Sequence, residues 1–357
     1  VTWALLAGLL LVQPWLRWPS LWPDTSHRLT LVCLLVAFGL HRVVSGQARE
    51  RFPAAWAWWV AAVLGVLVAQ SWHVIASGDY FRYFQETALF SDGLIALLSG
   101  VWGLWALVQL PAQTFRACRW VGLAFLVVNV LVMGGQAWAH RQMVGAFGLE
   151  RLAGAYGVAW LPVCLAWHPA AAVAPALMIA LCHKPLPMIA ALMACWPLCP
   201  RRWKSVLMTA VVVSTWLWLG TTSLVALKVA QRTDTWWHAW CASLVHPWVG
   251  WGLTPFALNT IRQTYGYLLP SLHSDWLALA VHLGWVVAGG AVWLWSRTVR
   301  MAPCTRWATA VQGSLLGLGM LSAVQSTVSH ARMAGLLLFF LAWFAVEQRE
   351  ESEHGTT

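Results

Sequence analysis

The chain has 357 residues, of which 60% are hydrophobic and only 10% charged, with a formal net charge of +10. Soluble domains carry roughly a quarter charged residues, so this composition excludes a water-soluble globular protein of this size. The basic residues sit between long apolar runs, so orientation in a bilayer is the simpler cause of the positive balance and no nucleic-acid partner is expected.

Taken in chain order, the apolar runs predict an all-α integral membrane protein, a single polytopic transmembrane domain over residues 1–357. Candidate spans fall at 2–16, 29–47, 54–76, 90–110, 120–139, 153–168, 170–183, 186–199, 205–228, 274–296, 307–328 and 333–347. That is about twelve transmembrane helices. The ten-residue period-2 alternation of a membrane barrel is absent. The first run lacks a small-residue cleavage site and is expected to be a span, not a removed signal peptide. Residues 153–199 are broken by Pro162, Pro169, Pro175, Pro185, Pro187 and Pro197. One crossing needs only ~20 residues, so three crossings are expected there, at least one of them short or tilted.

With both termini inside, basic clusters recur at every second loop. They are Arg42/Arg49/Arg51, Arg116/Arg119, Arg201/Arg202/Lys204 and Arg297/Arg300/Arg306, the pattern of the positive-inside rule. The acidic run from Glu347 to Glu353 reads as a solvated cytoplasmic end. The eight cysteines include no C-x-x-C pair. Cys33, Cys164 and Cys182 lie in apolar runs and are expected to be small buried hydrophobes.

This topology leaves one long outer segment, residues 229–273, between the ninth and tenth spans. Its Trp236, Trp237, Trp240, Trp248, Trp251, Tyr265 and Tyr267 argue against disorder. A short amphipathic helix along the membrane surface is expected, followed by a Gly/Pro turn in "HPWVGWGLTPF". The 29 tryptophans are read mainly as interfacial belt residues, and those of the loop can also stack on sugar faces.

Many cations fall on the outer side against the orientation rule: Arg17, Arg28, Arg82, Arg141, Arg151, Lys184, Lys228, Arg232, Arg262 and Arg332. Arg151 opens a span, Arg232 closely follows one and Arg332 precedes one. A ring of arginines at a membrane mouth suits an anionic ligand, because the guanidinium presents paired planar donors that match phosphate oxygens. The blander reading of each is snorkelling to lipid headgroups.

His238, His246, His273 and His282 lie in or just beyond the long segment. A histidine of near-neutral pKa can take a proton from a hydroxyl. His273 ends the loop and starts a span in "PSLHSDWLALAVHLGW", with Asp275 beside it to orient it or hold a sugar hydroxyl. His282 falls deeper in the same span, where a hydrogen-bonded interior histidine is the blander reading. No H-E-x-x-H or H-x-x-x-H spacing points to a metal, and no cofactor is expected.

Three motifs carry a resemblance to the O-antigen ligase and O-antigen polymerase superfamily. "ERLAGAYG" at 150–157 looks like an R-x-x-G-t-f/y-G element at the outer start of a span, with Arg151 in the arginine position. Val158-Ala159 stands where Pro-Asn is often found. "RTDTWWHAWCASLVHPWVGWGLTPF" at 232–256 resembles R…W…hP-l-h-G-h-G-x-x-x-F, matching at Arg232, His246-Pro247, Gly250, Gly252 and Phe256. "HSDWLALAVHLGWVVAG" at 273–289 resembles H-n-x-h-L-q-l-l-x-E-h-G-h-h-G, matching at His273, Leu277 and Gly284. Ser274 replaces the usual Asn, and His282 stands where Glu is common.

The resemblance implies an inverting, metal-independent glycosyltransferase of the bacterial inner membrane with a periplasmic active site. Its donor would be an undecaprenyl-diphosphate-linked glycan. Its acceptor would be lipid A-core in a ligase, or a second lipid-linked glycan in a polymerase, with the ligase preferred. Carried over, Arg151 and Arg232 would grip the diphosphate and His273 would deprotonate the acceptor hydroxyl. Arg262 and Arg332 are further candidates for phosphate contacts, and His246, His282 and Asp275 are supporting candidates. A transporter of an anionic substrate is the rival from another class, since it too would hold arginine within a bundle.

Overall fold

The computed structural model describes residues 1–12, 23–46, 54–76, 98–139, 150–182, 184–220, 223–252, 272–325 and 331–354, and every regular element among them is helical. In chain order these are α1 (Thr2–Ala7, continued by a π turn Gly8–Val12), α2 (Pro23–Val44), α3 (Ala54–Ala76), α4 (Leu98–Leu107), α5 (Ala112–Trp138) and α6 (Glu150–Trp167). A 3₁₀ turn Pro169–Ala172 leads into α7 (Val173–Leu181), followed by α8 (Pro185–Ala194), α9 (Arg201–Gly220) and α10 (Ser223–Val245). The last three are α11 (Asp275–Arg300), α12 (Arg306–Val324) and α13 (Ala331–His354). Among the described residues, α5, α11 and α12 are long and apolar enough to cross a membrane.

The proline-rich stretch 153–199 forms three helices, as its breaks suggest, but they are unequal. α6 has 18 residues, α7 has 9 after a 3₁₀ turn of 4, and α8 has 10. At ~1.5 Å per residue, α7 and α8 fall short of a bilayer core of ~30 Å. The start of the expected long loop also differs. Residues 229–245 belong to α10, whose 23 residues begin at Ser223. The sequence signal for α10 was masked by Lys228, Arg232 and Asp234, which look like the end of an apolar run although a helix carries them on.

The core is built on α6 against α12. A β-carbon on Gly317 would collide with Val158, and one on Gly313 would collide with the Ala194 carbonyl and press on Pro162. These close approaches let the helices pack tightly, as small residues do in membrane bundles. They also fix an antiparallel register, four residues up α12 for four residues down α6. Trp160, fully buried, covers Gly122 of α5 and meets Phe339 and Phe340 of α13. The Tyr156 hydroxyl donates to the Leu10 carbonyl at 3.1 Å and ties the N-terminal segment to this core.

A polar lattice closes one end of the bundle. Arg116 grips Glu347 through Nε and Nη2 at 2.8 and 2.7 Å, and Glu347 also accepts from Trp343 at 3.0 Å and Thr305 at 2.9 Å. Glu350 accepts from the Ala112 amide at 2.8 Å, near the start of α5. Arg42 donates to the Gln109 carbonyl and Arg349 to that of Val108. Arg42, Arg116, Arg306 and the end of α13 therefore share one face. The acidic end is not simply solvated, because Glu347 is 0% exposed and serves as the hub of this lattice. None of the eight cysteines is in a disulfide; Cys164 and Cys182 are buried, whereas Cys33 is exposed on the outside of α2.

Candidate functional site

The far end of α12 defines the candidate site. Thr305 sits in the Glu347 lattice, Arg306 opens α12 beside it, and Val324 lies 18 residues after Arg306, about 27 Å away along a helix. That rise nearly equals the bilayer core. At Val324 the helix ends, and its last carbonyls lie beyond the run of intrahelical donors. Arg232 of α10 reaches them, donating from Nη1 to the Val324 carbonyl at 3.5 Å. Next to it, Gln325 is 4% exposed and its buried Nε2 has no hydrogen-bond acceptor among the described residues.

Register brings other candidates to this end. Continuing the α6–α12 pairing of Val158 with Gly317 and Pro162 with Gly313 sets the backbone of Arg151 level with Val324. Arg332 is the second residue of α13, which runs from this end to Glu347 in the lattice. The backbones of Arg151, Arg232 and Arg332 thus gather opposite the Arg116 lattice. Only Arg232 among them has a described side chain. Arg262, with residues 253–271, lies outside the described residues.

His273 enters through α10 and α11. The Trp236 indole, one turn along α10 from Arg232, donates to the Leu272 carbonyl at 2.8 Å. This holds the residue before His273. His273 itself adopts φ 50°, a left-handed conformation that a residue with a β-carbon rarely takes. Its ring is half-buried and Nδ1 is fully buried. Exchange with an incoming hydroxyl therefore falls to Nε2. Ser274 caps α11, accepting from the Leu277 amide at 3.2 Å. Asp275 is buried in the first turn, where the helix dipole favours a carboxylate.

His246 and His282 belong to a different structure, a latch about two turns deeper. α11 is broken at Gly284, whose φ is 82° and ψ 169°. An unbroken helix would send the Trp285 amide to the Val281 carbonyl. Instead Trp285 donates to the Pro247 carbonyl at 2.7 Å, and Val281 accepts from the Trp251 amide at 2.8 Å. The His282 carbonyl accepts from Gly252 at 3.1 Å and from the Gln70 amide at 2.8 Å. Gln70, on α3, also donates to Val249. The turn 246–252 is thereby spliced into the helix break, and the Trp285 amide and the Val281 and His282 carbonyls released by the break are bonded, as an apolar medium requires.

The side chains follow the same plan. His282 Nδ1 bonds the Gly252 carbonyl at 2.6 Å, so it acts as an interior tie and the blander reading describes it. His246 is exposed and meets the Trp251 ring edge-on at 4.6 Å. His238 bonds its own helix at the Asp234 carbonyl, 2.8 Å away. Glycine is required at two points, because a β-carbon on Gly284 would collide with Trp248 and one on Gly250 with the His282 backbone.

Sequence reasoning missed Gln70 and Gln325, and read Trp236 as a loop or belt residue without its tie to Leu272. Gln70 was visible as a lone amide at the end of an apolar run, the kind of residue that joins helices in a membrane. Among the described residues no group of three or more His, Cys, Asp or Glu is gathered as a metal site. No protein-family model matches the chain, and no curated protein matches it.

Proposed function

We propose that the chain is an O-antigen ligase-like glycosyltransferase of about twelve spans, with the site at the Val324 end facing the periplasm from the inner membrane. The observation that carries this reading is the gathering of Arg151, Arg232 and Arg332 with His273 at one bundle end, across the membrane thickness from the Arg116 lattice. The buried, acceptor-seeking amide of Gln325 beside Arg232 adds a neutral donor to those cations.

In the proposed reaction the acceptor hydroxyl of lipid A-core attacks the anomeric carbon of a glycan carried on undecaprenyl diphosphate. His273 takes the hydroxyl proton on Nε2. The bond between the anomeric carbon and the diphosphate oxygen breaks, and configuration inverts. Undecaprenyl diphosphate leaves with the bonding electrons. Arg232 and Arg151 stabilise its growing charge, as fixed cations do at a leaving group. His246, His282 and Gln70 hold the 246–252 turn and so support the site without touching the reaction. Arg262 and Arg332 remain phosphate-contact candidates in this reading, and Asp275 a candidate partner of His273 or a sugar hydroxyl.

The helix break at Gly284 favours a second reading, because interrupted spans are a hallmark of membrane transporters. Here the groups released by the break are taken by the 246–252 turn, which speaks against a substrate bound there. The test supplies purified protein with undecaprenyl-diphosphate glycan and either lipid A-core or a second lipid-linked unit. Extension of lipid A-core is expected, extension of the lipid-linked unit would make the protein a polymerase, and anion flux across liposomes with no transfer would make it a transporter.

A further inference from the structure

A groove of about 680 Å³ runs between α5 and α7 on the outside of the bundle. Leu123, Val127 and Leu131 of α5 form one wall, and Val173 and Leu177 of α7 the other. Trp167 and His168 close it at one end. The wall residues repeat at four-residue spacing, which is one helix face. One turn before Leu123, that face carries Arg119.

Arg119 is the unusual element. Its guanidinium lies 4.9 Å from the Trp167 ring and 5.4 Å from that of Trp307. No carboxylate pairs with it among the described residues, whereas its neighbour Arg116 is gripped by Glu347. Its Nε is buried with no hydrogen-bond acceptor among the described residues. A cation over two indole faces is held in place, and its Nη groups, beyond the buried Nε, are left for an oxyanion. His168 adds a donor: its Nδ1 accepts from the Ala170 amide at 3.2 Å, so Nε2 carries the ring proton.

Depth decides what the oxyanion belongs to. α5 is long and apolar enough to span. From Arg119 to the 90% exposed Trp138 is about 29 Å of helix, one bilayer core. Arg119, Trp120 and Trp167 therefore lie at headgroup level, where indoles concentrate, and Trp120 and Trp167 meet at 4.2 Å. The groove rises from there to Leu131, about 18 Å, which is the depth of one leaflet.

We propose that this groove is a binding site for an anionic glycerophospholipid of the leaflet on the Arg116 side. An acyl chain lies along Val127 and Leu177, and the headgroup phosphate is held by Arg119 and His168. The site stands at the opposite membrane face from the candidate transferase site and does not depend on it.

The test measures lipid retained by the full chain purified in detergent and exposed to phosphatidylglycerol or phosphatidylcholine of the same chain composition, read by native mass spectrometry. Retention of phosphatidylglycerol about tenfold above phosphatidylcholine is expected, the scale of one charge-assisted contact. Arg119→Gln brings it to the phosphatidylcholine level. Leu177→Trp, at a half-exposed groove position that leaves the core intact, lowers retention of both lipids. Equal retention of the two lipids by the unaltered protein means only a non-selective lipid annulus and overturns the proposal. So does full displacement of phosphatidylglycerol by equimolar inorganic phosphate, or unchanged retention in Leu177→Trp.

Discussion

Three glycines of the 246–284 region have left-handed backbone angles, but they are not equivalent. Gly250 and Gly284 face backbone at distances no β-carbon tolerates, whereas at Gly252, φ 100°, a β-carbon would meet none of the described residues within 4 Å. Gly252→Ala should cost only conformational strain, about 1–3 kcal/mol. Gly284→Ala and Gly250→Ala must push the turn out of the helix break and should lower the melting midpoint in detergent much further. Equal shifts in all three would show that the splice does not exist. Gln325 permits the opposite kind of prediction. Replacing a buried donor that has no acceptor among the described residues removes a penalty. Gln325→Met should therefore leave the melting midpoint unchanged or raise it, while weakening binding of the lipid-diphosphate donor. Weaker melting with intact donor binding would make Gln325 a structural residue only.

At the scale of elements, the Arg116–Glu347 lattice and the splice at Gly284 do the joining. Glu347 is buried and four-fold bonded, so Glu347→Ala leaves the partly exposed Arg116 guanidinium only its longer contact to Glu350 at 3.5 Å and should destabilise the protein by about 1–3 kcal/mol. The double variant Arg116→Met with Glu347→Leu should recover most of that loss in equilibrium unfolding. Additive losses would argue against a specific pair. The sequence made some elements legible and hid others for identifiable reasons. Prolines mark chain breaks locally, so the division of 153–199 into three helices could be read directly. The break in α11 could not, because Gly284 lies in an apolar run like any membrane-helix glycine. Its partners, Pro247, Trp251 and Gln70, are remote in sequence. Glu347 looked like solvated tail for the same reason: its partner Arg116 lies 231 residues away.

At the scale of the molecule, charge patterning carried the argument furthest. Arg42 and Arg116, assigned to one side by the orientation rule, are joined physically through Gln109, Val108, Arg349 and Glu347, and Arg306 follows Thr305, which bonds Glu347. Arg151, Arg232 and Arg332, the exceptions to that rule, gather at the other end. A reporter inserted at Gly145 and another fused after Thr357 should therefore report opposite sides of the membrane, the second cytoplasmic. The same side for both would undo the topology. What sequence did not reveal is how the site end is built, since Trp236 gains meaning only from its bond to Leu272 and Gln325 only from its burial at the end of α12.

The most direct measurement is glycan transfer in proteoliposomes holding purified protein, undecaprenyl-diphosphate glycan and lipid A-core, with the unaltered chain and His273→Ala compared side by side. The unaltered chain should extend lipid A-core without added metal. His273→Ala should bind donor normally and transfer at least about a hundredfold more slowly, the contribution of a general base. Equal transfer by the two proteins would contradict the assignment of His273, and no transfer by either would contradict the proposed reaction.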